Sequence, residues 1–352
     1  MAVEIIRRQV EVGMTHKLVV GTGIPNNVRE TLEKAGVEVV VASLDTEKDI
    51  MANAPDADAL LARNDPVTRS VIEALSRCKV ISRGGVGYDS IDIDAATEHG
   101  IIVTSVPDAS VDEVSDHAIA LLLALSRKIV ALDKAVKNEL WTQEAKDADK
   151  ARSVIRAPIR RLKGRTLGEV GMGRIGSAVV SKAGVFGLKI IVYDPYLPKD
   201  VADKAGVELV DFDALLHESD FICLNASLTA ETRNMFGLEQ FKKMKPAAYI
   251  INVGRGALIN EEDLCSALSQ GLIAGAALDV LANEPPTRKN PLLKMENVLI
   301  TAHSAAYSVD SIEESRLRAA QDIIDVLQGR WPRGIVNPEV KNRRNCRMLS
   351  QG

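Results

Sequence analysis

The stretch Arg165–Gly176, RTLGEVGMGRIG, constrains the fold more than any other part of the chain. A short, mostly apolar run ends in Gly171, Met172, Gly173, Arg174, Ile175 and Gly176, and Ser177 to Val185 beyond it have helical composition. Strand, glycine turn, helix is the context in which a GxGxxG match acquires physical meaning. Gly171 permits the tight turn, Gly173 lets backbone N–H groups approach a pyrophosphate, and Gly176 lets the helix pack close to the strand. The phosphates then lie on the positive N-terminus of that helix. A second strand, Leu188 to Tyr193, ends in Asp194, eighteen residues after Gly176. A carboxylate there accepts both ribose hydroxyls and repels a 2′-phosphate, which favours NAD over NADP. Glu169 breaks the pattern, because a strand at the centre of a parallel sheet is normally aliphatic on both faces. Its carboxyl must be partnered, protonated or locally exposed.

Apolar and helical runs alternate before and after this motif. Strands are predicted at Lys17–Val20, Val37–Ala42, Ala59–Ala62, Lys79–Ser82 and Ile101–Thr104, with amphipathic pieces such as Asn27–Ala35 and Pro66–Leu75 between them. A second series follows at Arg165, Lys189–Tyr193, Asp220–Asn225, Ala248–Val253, Ala274–Val280 and Val298–Thr301. This alternation predicts an α/β fold with two doubly wound parallel sheets. Between the series, Val114, Ala118, Leu121, Leu125, Ile129, Leu132 and Val136 recur at three- and four-residue steps, which predicts one long helix from Val111 to Val136. Such a helix at a domain junction serves either as a subunit interface or as an intrachain core element. Asn138–Arg161 is polar and poorly periodic and is expected to wrap a surface. A last helix, Val309–Gln328, exceeds what the second sheet needs and can cross back to the first domain. Residues after Pro338, KNRRNCRMLSQG, read as a frayed basic tail.

Bulk properties narrow the partners. Aromatics are 3% of the 352 residues and the hydrophobic share is 46%, so aliphatic side chains build the interior. A net charge of -4 gives no electrostatic case for nucleic acid or an anionic membrane. Cys78, Cys223, Cys265 and Cys346 have no metal-ligand or CxxC spacing. They are expected to be reduced, in a cytoplasmic protein without a metal. The start, MAVEIIRRQVEVG, has no long apolar segment, so no signal peptide is expected.

In open α/β sheets ligands collect at the carboxyl ends of the strands. Arg255 follows YIINVG, Asp279 closes AGAALD, Glu284 lies in LANEPP, and His303 follows VLITA. The planar fork of Arg255 can hold a carboxylate or polarise a carbonyl. His303 can be cationic near neutral pH and release one proton. Glu284, bonded to the other ring nitrogen, would hold the tautomer and favour the charged ring. His16, His99, His117 and His217 read as structural. In the first half, Ser82–Asp89, SRGGVGYD, follows a strand with a glycine-rich turn whose N–H groups can form an anion nest. Arg63, after the ALL run, can line the same place.

Gly171–Gly176, Asp194, NVGRGALIN, ALDV, NEPP and TAHSAAYS stand in order along the chain. On these motifs, from about Lys17 to Pro338, the sequence resembles the D-isomer-specific 2-hydroxyacid dehydrogenase family. SDHAIALLLALSRKI, APIRRLKGRTLG and HSAAYS bring it nearest the C-terminal-binding-protein-like and phosphoglycerate-dehydrogenase-like members. The resemblance implies two Rossmann-like domains: a discontinuous, flavodoxin-like substrate domain over 1–107 and 305–337, and an NAD-binding domain over 108–304, with 338–352 a disordered tail. It implies an active site in the cleft between them and a homodimer built on the cofactor domains and the long helix.

Carried over by position, Arg255 binds the 2-oxo acid, His303 is the acid/base and Glu284 its carboxylate partner. Gly171, Gly173, Arg174, Ile175, Gly176, Asp194, Val253, Gly254 and Asp279 contact NAD. Arg63, Gly85, Val86 and Gly87 contact the substrate, the last two through the backbone. The implied reaction is reduction of a 2-oxo acid to the D-2-hydroxy acid. Alternatives are an NADH-sensing scaffold and a dehydrogenase of an oxyanion such as phosphite. Four positions depart from the family: Glu169 replaces an aliphatic residue, Asn225 and Ser227 stand where relatives often carry His and Pro, and Ala306 stands where close relatives often have Trp. The last implies a roomier pocket.

Overall fold

A computed structural model describes residues 16–21, 23–142 and 159–349. It contains two compact units: the described residues up to Ser110 together with those from Ser308 on, and Val111–Tyr307. Each contains one parallel sheet.

In the first unit β1 (His16–Val20), β2 (Val37–Val41), β3 (Ala59–Ala62), β4 (Val80–Arg83) and β5 (Ile102–Ser105) lie in the order β2-β1-β3-β4-β5. The sequence placed every one of these strands to within a residue. Because successive side chains point to opposite faces and both faces are covered, nearly every position is aliphatic. Leu18, Val20, Val80 and Ile102 face helix Val309–Leu327 through Ala319, Ala320, Ile323 and Ile324. Val19, Leu60, Ile81 and Val103 face Ile50, Val71, Ile72 and Ala95 on the other side.

The residues expected to form a frayed tail join the first core. Pro338–Asn342 is a 3-10 turn, and Val340, Cys346 and Met348 are buried in the cluster that holds Leu18 and Ile323. Arg347 donates to the carbonyls of Leu75 and Cys78. The basic composition misled because three apolar side chains, spaced among the arginines, are enough to anchor the segment. Residues 350–352, like 143–158 of the expected surface wrap, lie outside the described residues.

In the second unit β6 (Thr166–Val170), β7 (Lys189–Tyr193), β8 (Glu208–Leu209), β9 (Phe221–Leu224), β10 (Tyr249–Asn252), β11 (Gly275–Leu278) and β12 (Val298–Ile300) lie in the order β12-β11-β10-β9-β6-β7-β8. Every pairing is parallel. Six of these strands were legible in the sequence; β8, two residues long, has no periodicity to read. The order reverses between β6 and β9, which makes their carboxyl ends a topological switch point.

One helix was expected over Val111–Val136, and two are found, Val111–Arg127 and Ile129–Lys137. Lys128 between them has φ 54°, in the left-handed region, and its N–H bonds the carbonyl of Leu125. The apolar spacing resumes after the break, so periodicity alone does not reveal it. The first helix buries Val114, Ala118, Leu121, Leu122 and Leu125 against Leu167, Val179 and Ile251. The second leaves Ile129, Val130 and Val136 exposed. Among the described residues no helix is long and apolar enough to cross a membrane.

Candidate active site

The turn after β6 is built as the glycine pattern demands. Gly171 has φ +89°, and a Cβ on it would stand 2.7 Å from the Ala226 backbone. A Cβ on Gly176 would stand 2.2 Å from the Gly171 carbonyl oxygen, so helix Arg174–Gly184 can start this close to the strand only without a side chain. Gly173, its N-cap, has nothing within 4 Å of the same position. Open space beside free helix N–H groups is the cradle a pyrophosphate fills, and a Cβ there would occupy it. Asp194, just beyond β7, accepts from Met172 N–H at 2.9 Å and from Tyr196 N–H at 3.0 Å. These two bonds fix its carboxylate beside the glycine turn, where a ribose hydroxyl can meet it. Arg174 and Ile175 form the first turn of the helix, and Val253 and Gly254 continue β10 beyond its carboxyl end.

Glu169 is fully buried, and its partner is the second departure from the family pattern. Asn225 Nδ2 donates to Glu169 Oε1 at 2.7 Å and lies 3.3 Å from Cys223 Sγ. The register makes this possible, since Glu169 and Cys223 are Cα partners in the adjacent strands β6 and β9. Burial pushes the Glu169 carboxyl well above the ordinary carboxylate range, against the bonds from Asn225 and Cys223 that act downward. Glu169 Oε2 and Asn225 Oδ1 are buried with no hydrogen-bond partner among the described residues. Glu169 is therefore partnered and driven toward its neutral form. Burial likewise raises the Cys223 thiol.

At the carboxyl ends of β10, β11 and β12 the structure brings Arg255, Glu284 and His303 together. His303 Nδ1 lies 2.6 Å from Glu284 Oε2, while Glu284 Oε1 accepts from Leu281 N–H at 2.7 Å. The hydrogen bond to Glu284 raises the His303 pKa, burial acts the other way, and the nearby positive charge of Arg255 also lowers it. For Glu284, burial acts upward but the bonds from His303 and Leu281 prevail, so its pKa falls. The opposite shifts favour a carboxylate paired with an imidazolium, whose Nε2 is not engaged by a hydrogen bond among the described residues. Arg255 Nη1 donates to the Gly254 carbonyl at 2.8 Å, and its own carbonyl accepts from buried Asn252.

His303 has φ 49°, an uncommon conformation for a side-chain-bearing residue. Asp279 holds it there. Its buried carboxylate accepts from Thr301 Oγ1 at 2.6 Å and from the N–H groups of Ser304 and Ala305, each at 2.9 Å, while its carbonyl accepts from His303 N–H. Asp279, assigned by resemblance to the cofactor, also shapes the His303 segment. His117, read as structural in the sequence, joins this network through Thr301 Oγ1 at 3.0 Å. Thr301 and His117 lie inside the motifs TAHSAAYS and SDHAIALLLALSRKI, but nothing in those motifs marks either of them for a role at the site.

In the first unit, Gly85 N–H bonds the Arg83 carbonyl, and the Gly85 carbonyl accepts from Val106. No backbone hydrogen bond engages the N–H groups of Val86 and Gly87 among the described residues. Arg63, at the end of β3, is joined by a residue the sequence did not suggest. Arg316, on helix Val309–Leu327, donates to the Gly23 carbonyl, and burial together with the charge of Arg63 lowers its pKa. Arg83 Nη2 donates to Asn64 Oδ1 at 2.9 Å. Among the described residues no cluster of three or more His, Cys, Asp or Glu could hold a metal ion.

Comparison with known proteins bears on this arrangement. A family model described as D-isomer specific 2-hydroxyacid dehydrogenase, NAD binding domain, matches residues 119–305. The D-3-phosphoglycerate dehydrogenase of Methanocaldococcus jannaschii is 42% identical over 323 residues, 91% of this chain and 59% of that protein. The chain thus spans about three-fifths of the length of the first curated relatives it matches. The glyoxylate reductase of Korarchaeum cryptofilum is 38% identical over 300 residues, 84% of this chain and 87% of that one. The crystal structure of a glyoxylate reductase from Paecilomyes thermophila superposes with a TM-score of 0.80 at 30% identity, covering 93% of this chain and 99% of the other. With the glycine turn, the Asp194 carboxylate and the matched segment falling in one unit, the chain belongs to the D-isomer specific 2-hydroxyacid dehydrogenase family and carries its NAD-binding domain.

Proposed function

We propose that the protein is an NAD-dependent dehydrogenase that reduces a 2-oxo acid to the D-2-hydroxy acid. The observation that carries this reading is the His303–Glu284 pair, bonded at 2.6 Å beside Arg255 on the same sheet edge as the glycine turn. Bound at that turn, the dinucleotide supplies the hydride. Arg255 holds the carbonyl and carboxylate of the substrate by its planar fork; in the first unit the Val86 and Gly87 N–H groups are suited to an anion. His303 Nε2 donates a proton to the developing alkoxide, and Glu284 stabilises the imidazolium and its orientation. A scaffold that only senses NADH has no use for an imidazole held charged by a carboxylate, which favours the enzyme.

Within the first unit, the neighbouring cations Arg63 and Arg316 are suited to an anionic group such as a phosphate or a further carboxylate. The names of the relatives, phosphoglycerate and glyoxylate enzymes, bracket the range. Following NADH absorbance with glyoxylate, hydroxypyruvate, phenylpyruvate and 2-oxo acids bearing a second anion tests the reading. Tight NADH binding with turnover of none of these would remove it. On bulky substrates Ala306→Trp is expected to lower kcat/KM, since the ring narrows the pocket; improved activity would contradict the roomier site.

The reduction requires protonated His303, so activity falls as pH rises through its raised pKa. Glu284 is the first cause of that elevation. Glu284→Gln is therefore expected to move the alkaline limb of the kcat/KM profile toward lower pH, since burial and Arg255 are then opposed by the charge of Asp279 alone. A limb that stays in place would mean that the pair does not govern the proton.

We place the protein in the cytoplasm, with four free cysteines among the described residues, and infer a homodimer. Ile129, Val130 and Val136 present an apolar face on one helix, and Trp141 just beyond it is 69% exposed. A second copy would cover this face. Light scattering at the mass of one chain would rule the dimer out.

A further inference from the structure

The amino edge of the seven-stranded sheet carries a cavity of about 270 Å³, on the side away from the glycine turn and His303. Arg165 and Asp220 precede β6 and β9, Tyr249 begins β10, and Lys128, Arg160 and Arg161 complete the polar rim. The acidic member is already committed. Asp220 Oδ2 accepts from Thr166 N–H at 2.9 Å, and Oδ1 lies 3.3 Å from Arg165 Nη1 and 3.5 Å from Lys245 Nζ. Lys128, Arg160 and Arg161 form no ion pair among the described residues, so the cavity is left with a surplus of positive charge.

Two further observations mark the place. Lys128 is the residue at φ 54° where one helix stops and the next begins, a conformation glycine would adopt without strain. A lysine there sets a cation on the rim at a conformational cost that the fold does not require. The wall behind the charges is aromatic: Tyr249 and Phe221 stack with centroids 5.7 Å apart and ring planes at 14°. Arg160 and Tyr249 line the same cavity, and the charge of Arg160 lowers the Tyr249 pKa against the larger effect of burial.

An apolar wall with converging cations is the composition of a site for a small organic anion. Guanidinium forks match phosphate geometry, and several cations suit a dianion better than a monoanion. The volume is below that of sites for drug-sized ligands, which excludes a dinucleotide. We propose that this cavity is a second ligand site, distinct from the dehydrogenase site, that binds a small organic phosphate monoester: phosphate on Lys128, Arg160 and Arg161, organic body against Tyr249.

The test is made on NADH-saturated protein, so that the dinucleotide site cannot take up the probe. Phenyl phosphate is expected to raise Tm and to titrate calorimetrically, with inorganic phosphate binding at least about tenfold more weakly because it lacks the stacking body. Arg160→Gln/Arg161→Gln is expected to weaken phenyl phosphate at least about tenfold while leaving basal turnover unchanged. Lys128→Gly should lose affinity in the same way with an undiminished melting temperature, since the glycine accepts that backbone conformation. Arg255→Gln should keep the binding. No binding, or equal affinity in the double variant, would overturn the site. So would its loss in Arg255→Gln, and equal affinity for inorganic phosphate would overturn the organic ligand.

Discussion

Replacing His303 with alanine is expected to lower kcat for 2-oxo acid reduction by about 10²–10⁴-fold, the usual contribution of a positioned general acid. NADH affinity should be nearly unchanged. The asymmetry follows from where the imidazole is held. It bonds Glu284 at 2.6 Å on the carboxyl side of β12, whereas the groups suited to the dinucleotide, Gly171–Gly176 and Asp194, belong to β6 and β7. The backbone at φ 49° is held by Asp279 through Ser304 and Ala305, bonds that the imidazole does not make. Alanine at this position therefore deletes the proton donor and leaves the loop's anchors in place. Steady-state kinetics with an NADH fluorescence titration checks both halves. If cofactor binding collapses as well, His303 is an architectural residue and the proposed chemistry fails.

The second large effect concerns Glu169. Glu169→Val alone removes the acceptor of Asn225 Nδ2 and leaves a poorly satisfied donor in the interior, at a cost of about 1–3 kcal/mol. Removing both partners is a different matter, because replacing a buried polar pair by apolar groups is often neutral or stabilising. The double variant Glu169→Val/Asn225→Val is expected to recover most of the loss, with a coupling of about 0.5–3 kcal/mol. Additive losses in thermal or denaturant unfolding would show that the 2.7 Å bond contributes nothing.

A pH series separates the charge from the packing. A carboxyl with a raised folded-state pKa keeps its proton in the native chain while the unfolded chain loses it, so stability declines as pH rises above the ordinary carboxylate range. The decline is about 1.4 kcal/mol per pH unit until the folded-state pKa is reached. Glu169→Gln lacks this slope, and its advantage over the parent should widen from acid to alkaline pH. A constant gap would mean that Glu169 is ionised in the native protein.

The strands were legible because parallel strands covered on both faces are aliphatic at nearly every position, as in Ile81 and Val103 on one face and Val80 and Ile102 on the other. The glycine turn was legible because backbone contact at Gly171 and Gly176 excludes any side chain. Other features depend on register or packing that a linear reading cannot contain. Glu169 and Asn225 looked like two separate anomalies. They are 56 residues apart in sequence and meet only because β6 lies beside β9 in one particular register. The helix break at Lys128 has no glycine or proline to announce it. Arg316 gains its meaning from Arg63, which lies on another element of the same unit. At the candidate active site the residue types were legible as a motif set, whereas the restraint of His303 by Asp279 and Thr301 emerged only from the hydrogen bonds.

The core shared by Leu18, Val20, Ile323, Val340 and Met348 has a consequence for biosynthesis. The ribosome makes the N-terminal strands first, yet their hydrophobic cover is translated only after the whole of Val111–Tyr307. The central unit can close as soon as it leaves the exit tunnel, while the five earlier strands wait with one face bare. During that interval the nascent chain presents an aliphatic sheet surface to its surroundings, and chaperone occupancy should peak before residue 309 emerges.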